Sequence, residues 1–190
     1  VIKGVNLGGW FVLESWMKPE LFKGIQSKDE TGFVDMHPKA KKELEKHWHT
    51  FITKEDFVYL KSIGINSLRL PIPWWFQGEK PYISSEAFIH QAMKWAAELN
   101  LDVLIDLHTA PGCQNGFDNG GIEGVMTWHL FERNIQLPLI SLLTLQRHFI
   151  ITHHLWVLKF SMNPSHRLIC PSFKISIRDL MLKLENTQIN

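Results

Sequence analysis

Leu104-Ile105-Asp106-Leu107-His108-Thr109-Ala110-Pro111-Gly112-Cys113-Gln114-Asn115-Gly116-Phe117-Asp118-Asn119 changes character halfway along. Val103, Leu104 and Ile105 form an apolar, largely β-branched run, of the kind a strand covered on both faces requires. Polar groups enter at Asp106 and His108, and Pro111-Gly112 breaks the run. A loop rich in amides and carboxylates follows, with one large aromatic, Phe117. An α/β enzyme presents its site in this way, at the C-terminal end of a buried strand. The amides and carboxylates can hydrogen-bond hydroxyls, and a protruding phenyl ring can lie against an apolar face. A ligand with many hydroxyls and weakly apolar faces, such as a sugar, suits that set.

Working outward from this stretch, Ser84–Asn100 is amphipathic, with Phe88, Ile89, Ala92, Met93, Trp95 and Ala96 on or beside one face, and it predicts a helix. Before it, Asn66–Pro73 predicts a strand stopped by prolines, with Trp74-Trp75-Phe76 in the loop beyond. The Trp pair reads either as core or as a ligand platform. Arg69 lies inside that apolar strand, and a guanidinium there needs acceptors, so a carboxylate nearby is implied. Thr53 with Asp56 three residues on resembles a capping arrangement, Phe57, Leu60 and Ile63 supply a stripe, and Gly64 closes the helix. Lys39–Phe51 has helical spacing, whereas Lys18–Pro38 reads as irregular. Ile2–Leu7 predicts a first strand running into Gly8-Gly9-Trp10. Glu14 then reads either as an exposed turn carboxylate or as an acceptor for ligand hydroxyls. Thr127–Gln136 opens a further helix. Strands alternating with helices in this order predict a parallel α/β fold.

At 190 residues the chain can bury a core but is short of the roughly 250 that a closed (β/α)8 barrel takes. A net charge of +1 gives no case for nucleic-acid or membrane steering. Cys113 and Cys170 make no disulfide framework. No stretch is long enough to span a bilayer, and no leader is visible ahead of Val1. The Asp106/His108 pair has no second histidine cluster at ligand spacing, so a metal-dependent hydrolase is a remote alternative and no cofactor is expected.

Three segments carry a family resemblance. Gly4-Val5-Asn6-Leu7-Gly8-Gly9-Trp10-Phe11-Val12-Leu13-Glu14, then Leu68-Arg69-Leu70-Pro71-Ile72, then Asp106 to Asn119 resemble the exo-β-1,3-glucanases of glycoside hydrolase family 5. The resemblance covers roughly residues 1–136. It implies an α/β fold that is the N-terminal portion of a (β/α)8 TIM barrel, incomplete in this chain, and retaining cleavage of β-glucosidic bonds with β-glucan as substrate. Retention requires two carboxyl groups about 5–5.5 Å apart, one neutral and one ionised. By the same resemblance Arg69 orients the nucleophile, His108 and Glu14 bind the glucose at the cleavage subsite, and Phe117 clamps the neighbouring sugar. Asp118 and Asn119, with Asn115 in the same loop, contact hydroxyls. An extracellular or cell-wall location follows from the resemblance alone. A carbohydrate-binding pseudoenzyme is the alternative.

The chain departs from the family in its tail. All twelve glycines lie before residue 125 and all six alanines before residue 111. Residues 1–136 carry fourteen basic and seventeen acidic groups, whereas residues 137–190 carry six and two. The Leu-Asn-Glu-Pro motif that holds the acid/base at the end of the fourth strand is absent, and the nucleophile is expected much later, so neither catalytic Glu is present. Yet Trp156 to His166 can be encoded so that another frame reads Gly-Phe-Glu-Ile-Leu-Asn-Glu-Pro-Leu. The expectation is a frameshifted tail from about Pro138 onward, with a genuine alternative C-terminus as the rival explanation. On the frameshift reading the apolar run Leu139–Leu145 is accidental, and the chain itself is inactive.

Overall fold

The computed structural model describes residues 1–149 and 155–160. Four parallel strands form one sheet in chain order: β1 (Gly4–Asn6), β2 (Ser67–Ile72), β3 (Asp102–Leu107) and β4 (Leu155–Phe160). The helices are α1 (Glu30–Met36), α2 (Ala40–Thr50), α3 (Lys54–Ser62), α4 (Glu86–Glu98) and α5 (Glu132–Phe149). Parallel neighbours need crossover connections, and right-handed crossovers between strands in sequential order leave their helices on the same side. The core follows from that. Leu68, Leu70 and Ile72 of β2 and Val103 and Ile105 of β3 are buried with Phe57, Ile89, Ala92 and Ala96 of the helices. The alternate residues Ser67, Arg69, Asp102 and Leu104 are only half-buried. The apolar run at 103–105 is therefore covered on one face, not two, because the helices lie on one side only.

Local chemistry explains the ends of α3 and the start of α1. The Asp56 carboxylate accepts the Thr53 backbone N–H at 2.8 Å and its hydroxyl at 3.0 Å, starting α3. Gly64, at φ +89°, follows its end. Ile63 departs from the expected stripe and is 55% exposed, while Phe57 is buried. Six residues at 100° each carry Ile63 about 120° around the helix from Phe57. The segment read as irregular contains α1, whose N-terminus is capped by Asp29 accepting the Gly32 N–H at 2.8 Å. Its glycine, one turn in, masks the helical signal.

The helix expected from Thr127 begins as a 3₁₀ turn, Trp128–Leu130, before α5. Helix α5 runs through Pro138 and across the composition break without interruption. Leu145, within the run expected to carry no designed face, is fully buried in the core. Residues 161–190 and Cys170 lie outside the described residues. No described helix is long and apolar enough to cross a membrane.

Candidate functional site

The C-terminal ends of the first three strands bring their polar residues to the open face of the sheet. Register pairs Asn6 with Arg69, and Pro71 with Asp106. Arg69 therefore lies one cross-strand step from Asn6 and a diagonal step from Asp106, within reach of a long side chain. It uses both. Its Nη1 donates to Asn6 Oδ1 at 2.8 Å, and its Nη2 donates to Asp106 Oδ2. Asp106 is fully buried and is the carboxylate that a strand-borne arginine demanded. Asn6 is the second acceptor. Sequence reasoning did not single it out, because an asparagine ending a short strand carries no signal until the strand pairing is known.

Asp106 Oδ2 also faces His108 Nδ1 at 2.8 Å. Arg69 Nη2 lies 3.4 Å from the same nitrogen. Both cannot be bonds to one neutral nitrogen, since Arg only donates. The shorter contact to the carboxylate places the proton on Nδ1, which leaves Nε2 as an acceptor in the neutral ring. Asp106 thus fixes both the guanidinium and the imidazole tautomer. Among the described residues no group of three or more His, Cys, Asp or Glu could hold a metal ion.

Glu14 approaches the cluster from the loop after β1. A Cβ at Gly8 would lie 3.0 Å from Asn6 Nδ2 and 3.8 Å from Glu14 Oε1, so Gly8 leaves room where the two side chains converge. Glu14 Oε2 accepts the Trp16 indole N–H at 3.1 Å, and Trp16 itself is 68% exposed. Glu14 is therefore half-buried and directed, not a free turn carboxylate.

The loop after β3 is built from its own polar groups. Gln114 donates to the His108 carbonyl at 2.7 Å and accepts the Ala110 N–H at 3.0 Å. Asn115 donates to Asn119 Oδ1 at 2.8 Å and accepts the Phe117 N–H at 3.0 Å. Asp118 accepts the Asn119 N–H at 2.9 Å. Asn115 is thus engaged in holding the loop, which presents the Phe117 ring half-exposed. The Trp pair divides. Trp75 is buried, stacked on Tyr82 at 4.0 Å. Trp74 is half-exposed, with its N–H on the Thr109 hydroxyl at 2.9 Å and its carbonyl on that of Ser141 at 3.1 Å. Only Trp74 is placed to serve as a platform.

Behind these loops Glu30 is buried, accepting the Leu13 N–H at 3.2 Å and the Trp75 indole N–H at 3.0 Å. Burial pushes its carboxyl up to about 7; the Trp75 and Leu13 bonds oppose the rise, and the Asp29 charge adds to it.

The fold is that of solved glycosidase structures. The chain superimposes on a rutinosidase from Aspergillus niger with a TM-score of 0.74 and 26% identity, covering 82% of this chain and 47% of that one. The fold is shared also with AoRut, with a TM-score of 0.75 and 23% identity over 98% of this chain and 56% of that one. More particularly, the chain is 44% identical over 136 residues to the probable glucan 1,3-beta-glucosidase A of Emericella nidulans, covering 67% of this chain and 33% of the relative. It is 42% identical over 137 residues to the glucan 1,3-beta-glucosidase of Blumeria graminis, covering 67% and 32%. Over two thirds of its length the chain is thus a relative of the glucan 1,3-beta-glucosidases, as the three sequence segments indicated, and it spans about a third of their length. No family model matches it.

Proposed function

We propose that residues 1–136 form the sugar-holding side of a retaining β-1,3-glucan glucosidase site on a (β/α)8 barrel. The observation that carries this reading is the Asn6–Arg69–Asp106–His108 cluster at the strand ends, in a chain 44% identical to a relative named for that activity. Arg69, held on two sides, presents a fixed positive charge beside which a catalytic carboxylate stays ionised. His108 offers Nε2 and Glu14 offers its carboxylate to the hydroxyls of one glucose. Phe117, on its braced loop, covers the next sugar, and Asp118 and Asn119 line the rim. The general acid/base and the nucleophile come from other strands of the whole barrel. The substrate is a glucan of the wall or of storage, reached outside the cell.

The same reading treats residues from about 138 as out of frame. Support comes from β4, Leu155–Phe160, which lies beside β3. The alternative frame writes Gly-Phe-Glu-Ile-Leu over nearly the same codons. Leu-Asn-Glu-Pro would then close that strand, at the same sheet end as His108. On this reading the 190-residue polypeptide binds sugar without hydrolysing it.

Calorimetric titration with laminaritriose, a β-1,3-linked glucose trimer, tests the proposal. The chain binds it and releases no glucose, and Phe117→Ala weakens binding by about tenfold, equivalent to roughly 1.4 kcal/mol of stacking. The melting temperature is unchanged, because the ring is half-exposed. Absence of any heat of binding in the folded wild type defeats the reading.

A further inference from the structure

The start of α1 touches every loop that builds the site, although none of its residues faces the open sheet. Glu30 Oε2 accepts the N–H of Leu13, the residue before Glu14. Its Oε1 accepts the indole N–H of Trp75, the residue after Trp74. One carboxylate thus bridges the loop after β1 to the loop after β2, one oxygen to each. The flanking residues reach the third loop. Asp29 Oδ2 accepts the Glu123 N–H at 2.9 Å. Thr31 donates its hydroxyl to the Gly121 carbonyl at 2.6 Å and its N–H to the same oxygen at 3.2 Å. Since the one hydroxyl proton of Thr31 goes to Gly121, the Tyr82 phenol, 2.7 Å away, must donate to Thr31. Burial pushes the phenol up to about 12, so that donor proton is present throughout the neutral range. Gly121 lies against the Trp75 ring, where a Cβ would collide with the indole. The second and third loops therefore interlock around Trp75, and Glu30 ties that assembly to the first.

Resting on the glucan-binding reading, we propose that Glu30 is a positioning residue of the site: its two-sided bond sets the Glu14 loop in register against the Trp74–Trp75 loop. The ionised carboxylate, which prevails above about pH 7, accepts on both sides, and a neutral amide of the same size cannot. The amide of Gln has one acceptor oxygen, so its NH₂ group would be turned toward one of the two N–H donors. One loop is then released while the volume stays filled. Nothing Glu30 does requires contact with sugar, so its effect runs through Leu13 to Glu14 and through Trp75 to Trp74.

The test is a double-mutant cycle read by laminaritriose titration of the 190-residue chain, using Glu30→Gln, which keeps the volume, and Trp75→Phe, which removes the indole donor together with part of the ring that packs on Tyr82 and Gly121. Each single variant loses affinity by about tenfold while melting cooperatively. The double variant loses no more than either single, because both break one bridge. Binding within twofold of wild type in a folded Glu30→Gln chain overturns the proposal, as does a hundredfold loss in the double variant, which would mean independent effects. Should Glu30→Gln not fold, Trp75→Phe alone decides by the same twofold limit.

A wild type that binds no laminaritriose defeats the functional reading but leaves Glu30 to be judged by amide and indole NMR spectra. There Trp75→Phe moves the Leu13 and Glu14 amide signals across the bridge. Perturbation confined to the Trp74–Trp75 loop overturns the assignment.

Discussion

At the residue scale, charge burial decides what each acidic side chain can do. Asp106 is fully buried but is held by Arg69 and His108, so its place is structural. Glu30 is buried with only neutral N–H donors as partners, and its carboxyl rises from the ordinary 4.5 to about 7. The consequence for stability has a definite sign. A carboxyl whose pKa is raised on folding binds its proton more tightly in the folded state. Its contribution is fully present below pH 4.5 and is lost as pH rises through about 7. That interval corresponds to roughly 3 kcal/mol. Urea unfolding at pH 5 and pH 8 should show wild type losing stability across the window by an amount of that order more than Glu30→Gln. Parallel pH profiles for the two proteins would contradict the burial argument.

At the element scale, two helix starts are set by short acidic side chains. Asp29 caps α1 and Asp56 reaches back to Thr53 at α3. The Thr53–Asp56 pair was visible in the sequence because it precedes an apolar stripe at the right distance. Asp29 was not, because Gly32 and a polar surround hide a helix of seven residues. Asp56→Ala should cost about 1 kcal/mol, read as a lower urea midpoint with unchanged slope. An unchanged midpoint would mean that packing of Phe57 alone holds the helix start. The strands were legible as apolar runs, but not which side of each is covered. Arg69 and Leu104 look out from β2 and β3 because the packed helices occupy the opposite face.

At the scale of the whole molecule, the sheet carries helices on one face and its polar cluster on the other. A sheet of this kind is stable when its second face is closed by further strands. The chain spans about a third of the length of the curated relatives it matches. The composition break after Gln136 is a property of the chain as written. Sequencing of the transcript across codons 130–190 should reveal Leu-Asn-Glu-Pro in another frame near codon 162. Confirmation of the present frame through residue 190 would refute the frame argument. It would also leave Leu145, buried in the core, as a genuine residue of α5.

The amino-acid sequence alone determined the parallel α/β order, the strand that ends in His108, and the resemblance of its three segments to the β-1,3-glucanases. These depend on local periodicity, turn chemistry and contiguous motifs, all of which are written along the chain. Only the tertiary structure decided which groups meet. It supplied Asn6 and Asp106 as the partners of Arg69 and moved Trp75 into the core while leaving Trp74 half-exposed. It also turned Asn115 inward to brace its loop and set Glu30 between two loops 62 residues apart in the chain, at Leu13 and Trp75. Such pairings follow from strand register and from the angle at which loops return, and neither quantity is encoded at any single position.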